Sequence, residues 1–377
     1  MVQKIPQSGI SGNSSFRNLI INGDMQIWQR ATSATTATDG GYNTVDRWHN
    51  VFYSTAGAMT SEREALSVAD QATTGMYYCN LLKCTTADTS IATDSIVGFR
   101  QTIEAQNCQS LNYGTSAAKN VTISFYAKAN ASKTYSLNLW KRDSTSYYWF
   151  KDISVTDSWQ KFTYTISPTA GSTSLITSSG GAIANDNGEG LELTFILVAG
   201  TNYDGTADTW QDSGSDAQHF YDGSIDNFLS STDNTLRITG VQLEVGETAT
   251  DFEHLPRDVQ FHRCERYYQV IDFTNGHAQA ANAYTASAAT TGYNLHTEMR
   301  ADPTITLASA GGGSGGLAFL TSAGGYPSAV GTHAASAIST HQFKMDGSGG
   351  YSGLENGGSS VVYTTGHGHK HKCDAEL

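Results

Sequence analysis

The sequence lacks any long apolar stretch. Nowhere do about 18 apolar residues follow one another, which is the length that a membrane-spanning helix needs. Residues 1–12 contain a single lysine and no apolar segment of the kind found in secretion signals. The sequence therefore predicts neither membrane insertion nor Sec-type export.

Basic residues are also scarce. The chain has 22 lysines and arginines against 35 acidic residues, which gives a formal net charge of −13. A protein that binds a phosphate backbone needs clustered Lys and Arg side chains. The composition therefore argues against nucleic acid as a partner.

Cysteines are few and irregularly spaced, without a CxxC pair: Cys79, Cys84, Cys108, Cys264 and Cys373. This pattern indicates neither a disulfide framework nor a zinc site. Free thiols are typical of proteins that assemble in a reducing cytoplasm.

Motifs for catalysis are absent as well. The sequence has no nucleophile elbow, P-loop, dinucleotide fingerprint or HExxH. The glycine-rich run at 311–316 lacks the Lys and Ser/Thr of a phosphate-binding loop. Acidic residues are scattered singly, so no pair suited to glycoside hydrolysis can be picked out. We expect no enzymatic activity.

Glycine, by contrast, is abundant, with 38 residues, and charged residues make up only 15% of the chain. Such a composition suits many short strands joined by tight turns. Apolar and polar residues alternate over 121–127, 135–139 and 191–197, as they do in half-buried strands. Together with the absence of βαβ spacing, this predicts a mainly β fold that begins with a jelly-roll β-sandwich.

The alternation shifts by one position in the segment 236–245. Leu236 and Ile238 share one phase, whereas Val241 and Leu243 share the other. Gly240 lies at the shift, so we predict a β-bulge there.

Residues 256–270 have a helical pattern instead. Phe261, Cys264 and Tyr268 fall on one face of a helix, and we interpret this segment as a short joint between two β domains. The predicted organisation is an arm at 1–15, a jelly roll at 16–255, the helical joint at 256–270 and a second, Gly-rich β domain at 271–377.

The C-terminal domain has few apolar residues for its length. Its strand-like pieces are 303–308, 316–321, 341–345 and 360–365. A domain that cannot fill its own core often completes it against other subunits. We therefore expect an oligomer.

Short motifs recur in a fixed order along nearly the whole chain: NLIINGDMQIWQR at 18–30, TVDRW at 44–48, VQLEVG at 241–246, ATDFE at 249–253, CERYY at 264–268, MRADPT at 299–304 and DAEL at 374–377. In this order they resemble a family of phage tail-fibre and virion structural proteins. Residues 120–130 and 158–162 are also similar to carbohydrate-binding-module jelly rolls.

The resemblance implies a virion component, most often a tail appendage, that assembles in the host cytoplasm. It implies a homotrimer, attachment to other tail or head proteins through the arm at 1–15, and a jelly roll related to sugar-binding modules that recognises a host-surface glycan. Only about 15 residues precede the first domain, so a tail fibre, a baseplate appendage and a head decoration all stay open.

Aromatic residues outside the predicted core are the candidates for sugar binding. Trp140 lies beside Asn138 on one strand, and Tyr148 and Phe150 share a phase on the next. The loop 142–146 would set Trp140 across from Tyr148. An aromatic platform beside polar groups is what stacking on a sugar ring requires. The alternative is that this face packs against the second sheet, a loop or a sister subunit.

Histidines near the C-terminus are candidates for a metal site. His367, His369 and His371 alternate, so they share one face of an extended strand. Two such imidazoles from each of three chains would form an octahedral cage for Fe, Ni or Zn, and trimeric phage fibres are known for His-x-His sites. The alternative is a solvated strand that binds no metal.

Calcium is a further candidate, because related sugar-binding modules often hold one. Asp24, Asp46 and Glu244 are the predicted oxygen ligands. Asp46 could equally pair with Arg47.

Three functions follow from these observations. The first is a virion appendage that recognises a host glycan, the second a purely architectural connector or decoration protein, and the third a glycan-cleaving spike enzyme. The first two stand close together and well ahead of the third.

Overall fold

The computed structural model describes residues 16–212, 218–273, 278–310, 317–320, 331–349, 351–364 and 369–377. The predicted arm at 1–15 lies outside these residues. The chain forms two compact units, Met1–Gln260 with Leu377 and Phe261–Glu376. The boundary falls within the segment 256–270, and the function of that segment as a joint stays a prediction.

The first unit is built from antiparallel strands. In chain order they are β1 (Ser33–Thr36), β2 (His49–Tyr53), β3 (Ala58–Ala65), β4 (Tyr78–Thr86), β5 (Ile96–Glu104), β6 (Val121–Ala129), β7 (Lys133–Lys141), β8 (Tyr147–Val155), β9 (Gln160–Ile166), β10 (Glu189–Ala199), β11 (Gln211–Asp212) and β12 (Thr235–Val245). Helix α1 (Val68–Thr74) begins after Ser67, whose hydroxyl accepts a hydrogen bond from the Asp70 N–H at 3.2 Å. Short 3-10 helices cover Ala105–Leu111, Ala170–Ser172, Ser179–Gly181, Thr201–Tyr203 and Phe228–Ser230.

These strands form two six-stranded sheets that enclose one apolar core. Sheet A has the order β1-β3-β4-β12-β6-β9, and sheet B has the order β11-β8-β7-β10-β5-β2. The alternating residues Val121, Ile123 and Phe125 point inward from sheet A and are fully buried. Leu137 and Leu139 do the same from sheet B. The jelly-roll β-sandwich predicted from the alternation is confirmed.

The predicted bulge on β12 is also confirmed. The pairing of β12 with β6 shifts register around Gly240, whose φ is +62°. This left-handed conformation suits glycine, because a side chain there is strained. The bulge changes the phase of the strand, so Leu236, Ile238, Val241 and Leu243 all reach the core.

The segment 18–30 contains no strand and is fixed by a buried amide. Asn22 has a φ of +57° and is fully buried. Its Oδ1 accepts from the Gln26 and Ile27 N–H groups at 2.9 and 3.0 Å. Its Nδ2 donates to the carbonyl oxygens of Ile27 and Asp46 at 2.9 and 3.1 Å. One side chain thus joins this segment to the one around Asp46.

Trp48 follows that junction and lies in the core of the sandwich. It is 1% exposed, and its ring stacks on Phe99 with centroids 4.7 Å apart. Trp28 and Trp159 are partly buried against apolar clusters. The motif residues therefore hold the sandwich together.

The strands of the second unit follow helix α2 (Arg257–Glu265), within which the boundary between the two units falls. Its strands are β13 (Tyr268–Phe273), β14 (Ala278–Thr285), β15 (Ala288–Asn294), β16 (Thr304–Thr306), β17 (Ala318–Phe319), β18 (Thr332–Ser336), β19 (Gln342–Ser348), β20 (Ser359–Tyr363) and β21 (His369–Asp374). They pair in the orders β13-β21-β16 and β17-β20-β14-β15-β19-β18. These strands confirm the predicted second β region at the C-terminal end of the fold.

Helix α2 is shorter than the helical pattern suggests. It ends at Glu265, and Tyr268 already opens β13, so Phe261, Cys264 and Tyr268 do not share one helical face. Cys264 and Tyr268 are nevertheless both buried. No helix in the described residues is long and apolar enough to cross a membrane. The five cysteines all lie in the described residues, where they are buried and form no disulfide.

Candidate functional site

Trp140 and Tyr148 face each other on the outer surface of sheet B. They are direct partners in the β7–β8 ladder, as the loop length predicts. Their rings stack with centroids 4.9 Å apart. Because β7 alternates, Trp140 lies on the side opposite the core residues Leu137 and Leu139. The predicted pairing of Trp140 with Tyr148 is confirmed.

A covering segment, residues 201–212 and 218–226, lies over part of this surface. The Phe220 ring packs edge-on against Tyr148 at 5.7 Å. Asn138 Nδ2 donates to the His219 carbonyl oxygen at 3.1 Å. The Phe150 carbonyl oxygen accepts from the backbone N–H of residue 208 at 2.8 Å.

The covering segment corrects the predicted binding platform. Asn138, Tyr148 and Phe150 are 0–2% exposed, so a sugar ring cannot stack on them in this arrangement. The alternative that a loop packs on this face holds for these three residues. Trp140 alone of the four predicted residues stays partly exposed.

Beside the covered area, a buried glutamate anchors a polar network. Glu192 on β10 has a side chain only 3% exposed, and its Oε2 lies 2.8 Å from Arg142 and 3.3 Å from Arg100. Its Oε1 accepts from the Thr194 hydroxyl at 3.0 Å. Thr102 donates to Oε2 at 3.4 Å. The carboxylate thus fixes two guanidinium groups that are themselves 20–24% exposed.

Arg142 also covers the indole of Trp140. Its guanidinium carbon lies 4.0 Å from the ring centroid, which is within cation–π range. A second contact, from Arg142 Nε to Glu189 at 2.6 Å, holds the guanidinium in place. Trp140, Arg142, Arg100 and Glu192 therefore form one connected, preorganised surface, which we call the Arg–Trp face.

Two buried polar atoms of the Arg–Trp face, Trp140 Nε1 and Arg100 Nε, have no hydrogen-bond partner among the described residues. The same holds for Nδ1 of the neighbouring His49, which pairs with Arg100 across β2 and β5. Burial, and then the Arg100 charge, lowers the pKa of His49 to about 3. His49 is therefore neutral at pH 7. Buried polar atoms without partners are costly, and a ligand that offers hydroxyl groups would supply the missing bonds.

The sequence gives one signal for the Arg–Trp face. Leu191 and Leu193 point inward, which already places Glu192 outward. The pairing of Glu192 with Trp140, and of Arg100 with His49, depends on strand order and register. Those are set by contacts distant in sequence, so Arg100, Arg142, Glu192 and His49 were not predicted.

The predicted histidine cage is not supported by the packing of β21. His367 lies outside the described residues. His371 is fully buried, and its ring meets those of Phe273 and Tyr293 edge-on at 4.7 and 4.8 Å. Its Nδ1 accepts from the Ala308 N–H at 2.9 Å. His371 is therefore part of the core of the second unit, and it cannot join His369 on a trimer axis.

The predicted calcium ligands bind protein donors instead of meeting at one point. Asp46 accepts from the backbone and side chain of Gln29 at 2.9 and 2.6 Å. Glu244 accepts from the backbone and hydroxyl of Thr250, both at 2.8 Å. Burial raises the pKa of Asp24. Among the described residues, no three or more His, Cys, Asp or Glu side chains are grouped to hold a metal ion.

No protein-family model matches the chain, and neither does any curated protein. Among solved structures, it is similar to a family 4 carbohydrate-binding module at 14% identity, covering 59% of this chain and 97% of that one with a TM-score of 0.26. It is also similar to the family 11 module of a Clostridium thermocellum cellulosomal cellulase, at 10% identity, 58% and 97% coverage and a TM-score of 0.28.

A third similar structure is the enzymatically active domain of tailspike protein 4 of bacteriophage CBA120. The identity is 13%, the TM-score is 0.28, and the match covers 62% of this chain but 22% of that one. These similarities concern the β-sandwich fold alone. The functional proposal therefore rests on the Arg–Trp face.

Proposed function

We propose that this chain is a glycan-binding structural subunit of a tailed-phage virion and that the Arg–Trp face binds the glycan. The observation that carries the proposal is the set of buried, partnerless polar atoms on Trp140, Arg100 and His49. They lie on the same side of sheet B as the Arg142–Trp140 stack, which Glu192 anchors. A site of this kind has the polar groups of a binding surface already in position.

The chemistry of the face suits a sugar better than other ligand classes. A pyranose ring presents hydroxyl groups that both donate and accept hydrogen bonds, so it can accept from Trp140 Nε1 and Arg100 Nε once the side chains that shield these buried donors move aside. The apolar C–H groups of the ring can pack on the part of the indole that stays exposed beside its contacts with Tyr148 and Arg142. The arginines are largely neutralised by Glu192 and Glu189, which removes the excess positive charge that a phosphate backbone would require.

The virion part of the proposal rests on the ordered sequence motifs. Residues of those motifs, among them Asn22 and Trp48, have structural roles in the sandwich, which supports a scaffold function for the motifs. We propose a tail appendage that forms a homotrimer, attaches through residues 1–15, assembles in the host cytoplasm and acts without catalysis.

An architectural connector is the second candidate, and one observation favours it. Asn138, Tyr148 and Phe150 are buried beneath the covering segment, so part of the outer surface of sheet B already serves packing. In that function the Arg–Trp face would form a contact between subunits instead of binding a sugar.

Binding to a microarray of bacterial capsular and O-antigen polysaccharides tests the proposal. The purified chain is expected to retain a small set of polysaccharides, and Arg142→Ala is expected to lose them. Tyr77→Ala is the matched control, because Tyr77 is an exposed aromatic, 66% accessible, next to β4 of sheet A. Equal retention by the wild type and Arg142→Ala would refute the site.

Two further measurements separate the alternatives. The architectural function is favoured if no polysaccharide is retained and if Arg142→Ala changes the mass of the oligomer in solution, measured by light scattering. New reducing ends released from a retained polysaccharide would contradict the expectation that the chain is not an enzyme.

A further inference from the structure

The guanidinium group of Arg142 has two edges that could each bind a carboxylate through two parallel hydrogen bonds. One edge consists of Nε and Nη2, and the other of Nη1 and Nη2. Glu189 accepts from Nε at 2.6 Å, and Glu192 accepts from Nη1 at 2.8 Å. Each edge thus has one of its two donors bound to a glutamate. An incoming carboxylate cannot bind either edge bidentately without displacing a glutamate.

The remaining donor, Arg142 Nη2, suits a neutral ligand. It makes no hydrogen bond within the described part of the chain. A sugar hydroxyl needs only one donor and brings no charge. A carboxylate at Nη2 would instead lie close to the carboxylates of both Glu189 and Glu192, where like charges repel each other.

Glu189 is the more exposed of the two glutamates. Its side chain is 36% exposed, against 3% for Glu192. The backbone N–H of Arg142 donates to the Gly190 carbonyl oxygen at 3.0 Å, which holds Arg142 beside the start of β10 and therefore beside Glu189. A ligand that approaches Arg142 from solvent meets the Glu189 carboxylate first.

The covering segment adds negative charge beside the Arg–Trp face. Its Phe220 ring lies 6.3 Å from the Trp140 ring, centroid to centroid. The described part of the segment contains no lysine or arginine but five aspartates: Asp204, Asp208, Asp212, Asp222 and Asp226. Lys151 and Lys133 pair with two of them, and the whole chain has a net charge of −13. An anionic ligand therefore has to approach past an acidic border.

We propose that Glu189 is a specificity-determining residue that excludes acidic sugars from the Arg–Trp face and so restricts its ligands to uncharged glycans. Glu189 does this in two ways, because it occupies a donor that a carboxylate would need and it repels the carboxylate itself. Uronic acids and sialic acids are the excluded classes. The inference rests on the proposed glycan binding and goes further by naming the class of glycan.

Calorimetry with a polysaccharide that the microarray retains, before and after its primary hydroxyl groups are oxidised to carboxylates, tests the proposal. We expect the wild type to bind the carboxylated form at least about tenfold more weakly in about 0.05 M NaCl. Raising the NaCl concentration to about 0.5 M should reduce this difference, because salt screens charges at the protein surface. A difference caused only by lost hydroxyl contacts would not respond to salt, and that result would count against the proposal.

Glu189→Gln removes the charge and keeps an oxygen that can accept from Arg142 Nε. It is expected to reduce the ratio of the two affinities at least about threefold. Glu247→Gln is the matched control, because Glu247 is an exposed carboxylate just after β12 of sheet A, and it should keep the wild-type ratio. Equal binding of both forms by the wild type, or an unchanged ratio in Glu189→Gln, would overturn the proposal and leave the glycan site in place. Retention of no polysaccharide by the wild type would refute the glycan-binding function and this inference with it.

Discussion

Replacing Asn22 by alanine should destabilise the first unit strongly. The buried amide makes four hydrogen bonds to backbone groups between 2.9 and 3.1 Å. At about 1 kcal/mol net for each, their loss amounts to about 4 kcal/mol. Asn22 also has a φ of +57°, a conformation that costs alanine about 1 kcal/mol more than asparagine. The expected loss in the free energy of unfolding is therefore about 5 kcal/mol.

Urea denaturation followed by tryptophan fluorescence measures this loss. Asn22→Asp keeps the two accepted bonds but places a buried carboxylate oxygen against the carbonyl oxygens of Ile27 and Asp46, so at pH 7 we expect it to cost at least as much as Asn22→Ala. Asn202→Ala is the control, because Asn202 is exposed in the covering segment and should be nearly neutral. A loss below about 1 kcal/mol for Asn22→Ala would refute the view that this motif residue joins the two segments.

Three further outcomes are expected. Glu192→Ala removes the carboxylate that Arg100 and Arg142 share and leaves Arg142 only its contact with Glu189, so it should lower the urea midpoint by the equivalent of about 2 kcal/mol. An unchanged midpoint would contradict the anchoring role of Glu192. Gly240→Ala should lower the free energy of unfolding by about 1–2 kcal/mol in the same assay, because its Cβ would lie 3.1 Å from Met76 and Tyr126 at a φ of +62°. Unchanged stability would rule out strain at the bulge. Burial lowers the pKa of His333 to about 4. Burial of His333 therefore does not lower the free energy of unfolding above pH 6.5. Below pH 6.5 this free energy falls by at most about 1.4 kcal/mol per pH unit towards pH 4, because the unfolded chain takes up a proton that the folded chain does not. Urea midpoints at pH 6.5, 5.5 and 4.5 should show this slope, and His333→Gln should flatten it.

Strand faces were predictable from the sequence because alternation is a local property. The opposite orientations of Leu137 and Trp140 follow from a period of two, and the contact of Trp140 with Tyr148 follows from one short loop. The bulge at Gly240 was predictable for the same reason, because a shift in the alternation beside a glycine indicates a β-bulge.

The covering segment could not be predicted, because it has no periodicity. Its fold over Tyr148 and Phe150 depends on Phe220 and His219, which lie about 70 residues further along the chain. His371 illustrates the same limit. Parity places His369 and His371 on one side of β21, but only the distant residues Phe273 and Tyr293 make that side the core.

Aromatic content alone does not identify a binding surface. Tyr148 and Phe150 have the residue types of a sugar platform but are buried, whereas Trp140 keeps both partial exposure and a partnerless Nε1. The distinguishing property is the state of the polar atoms around the ring, and that depends on tertiary packing.

The most direct test of the central claim is the affinity of the chain for a polysaccharide retained on the microarray, measured by calorimetry with substitutions at Trp140. Trp140→Phe keeps a ring but removes the Nε1 donor and should weaken binding about tenfold, whereas Trp140→Ala removes both and should weaken it further. Tyr77→Ala should bind like the wild type. If Trp140→Ala folds and binds with wild-type affinity, the Arg–Trp face is not the glycan site.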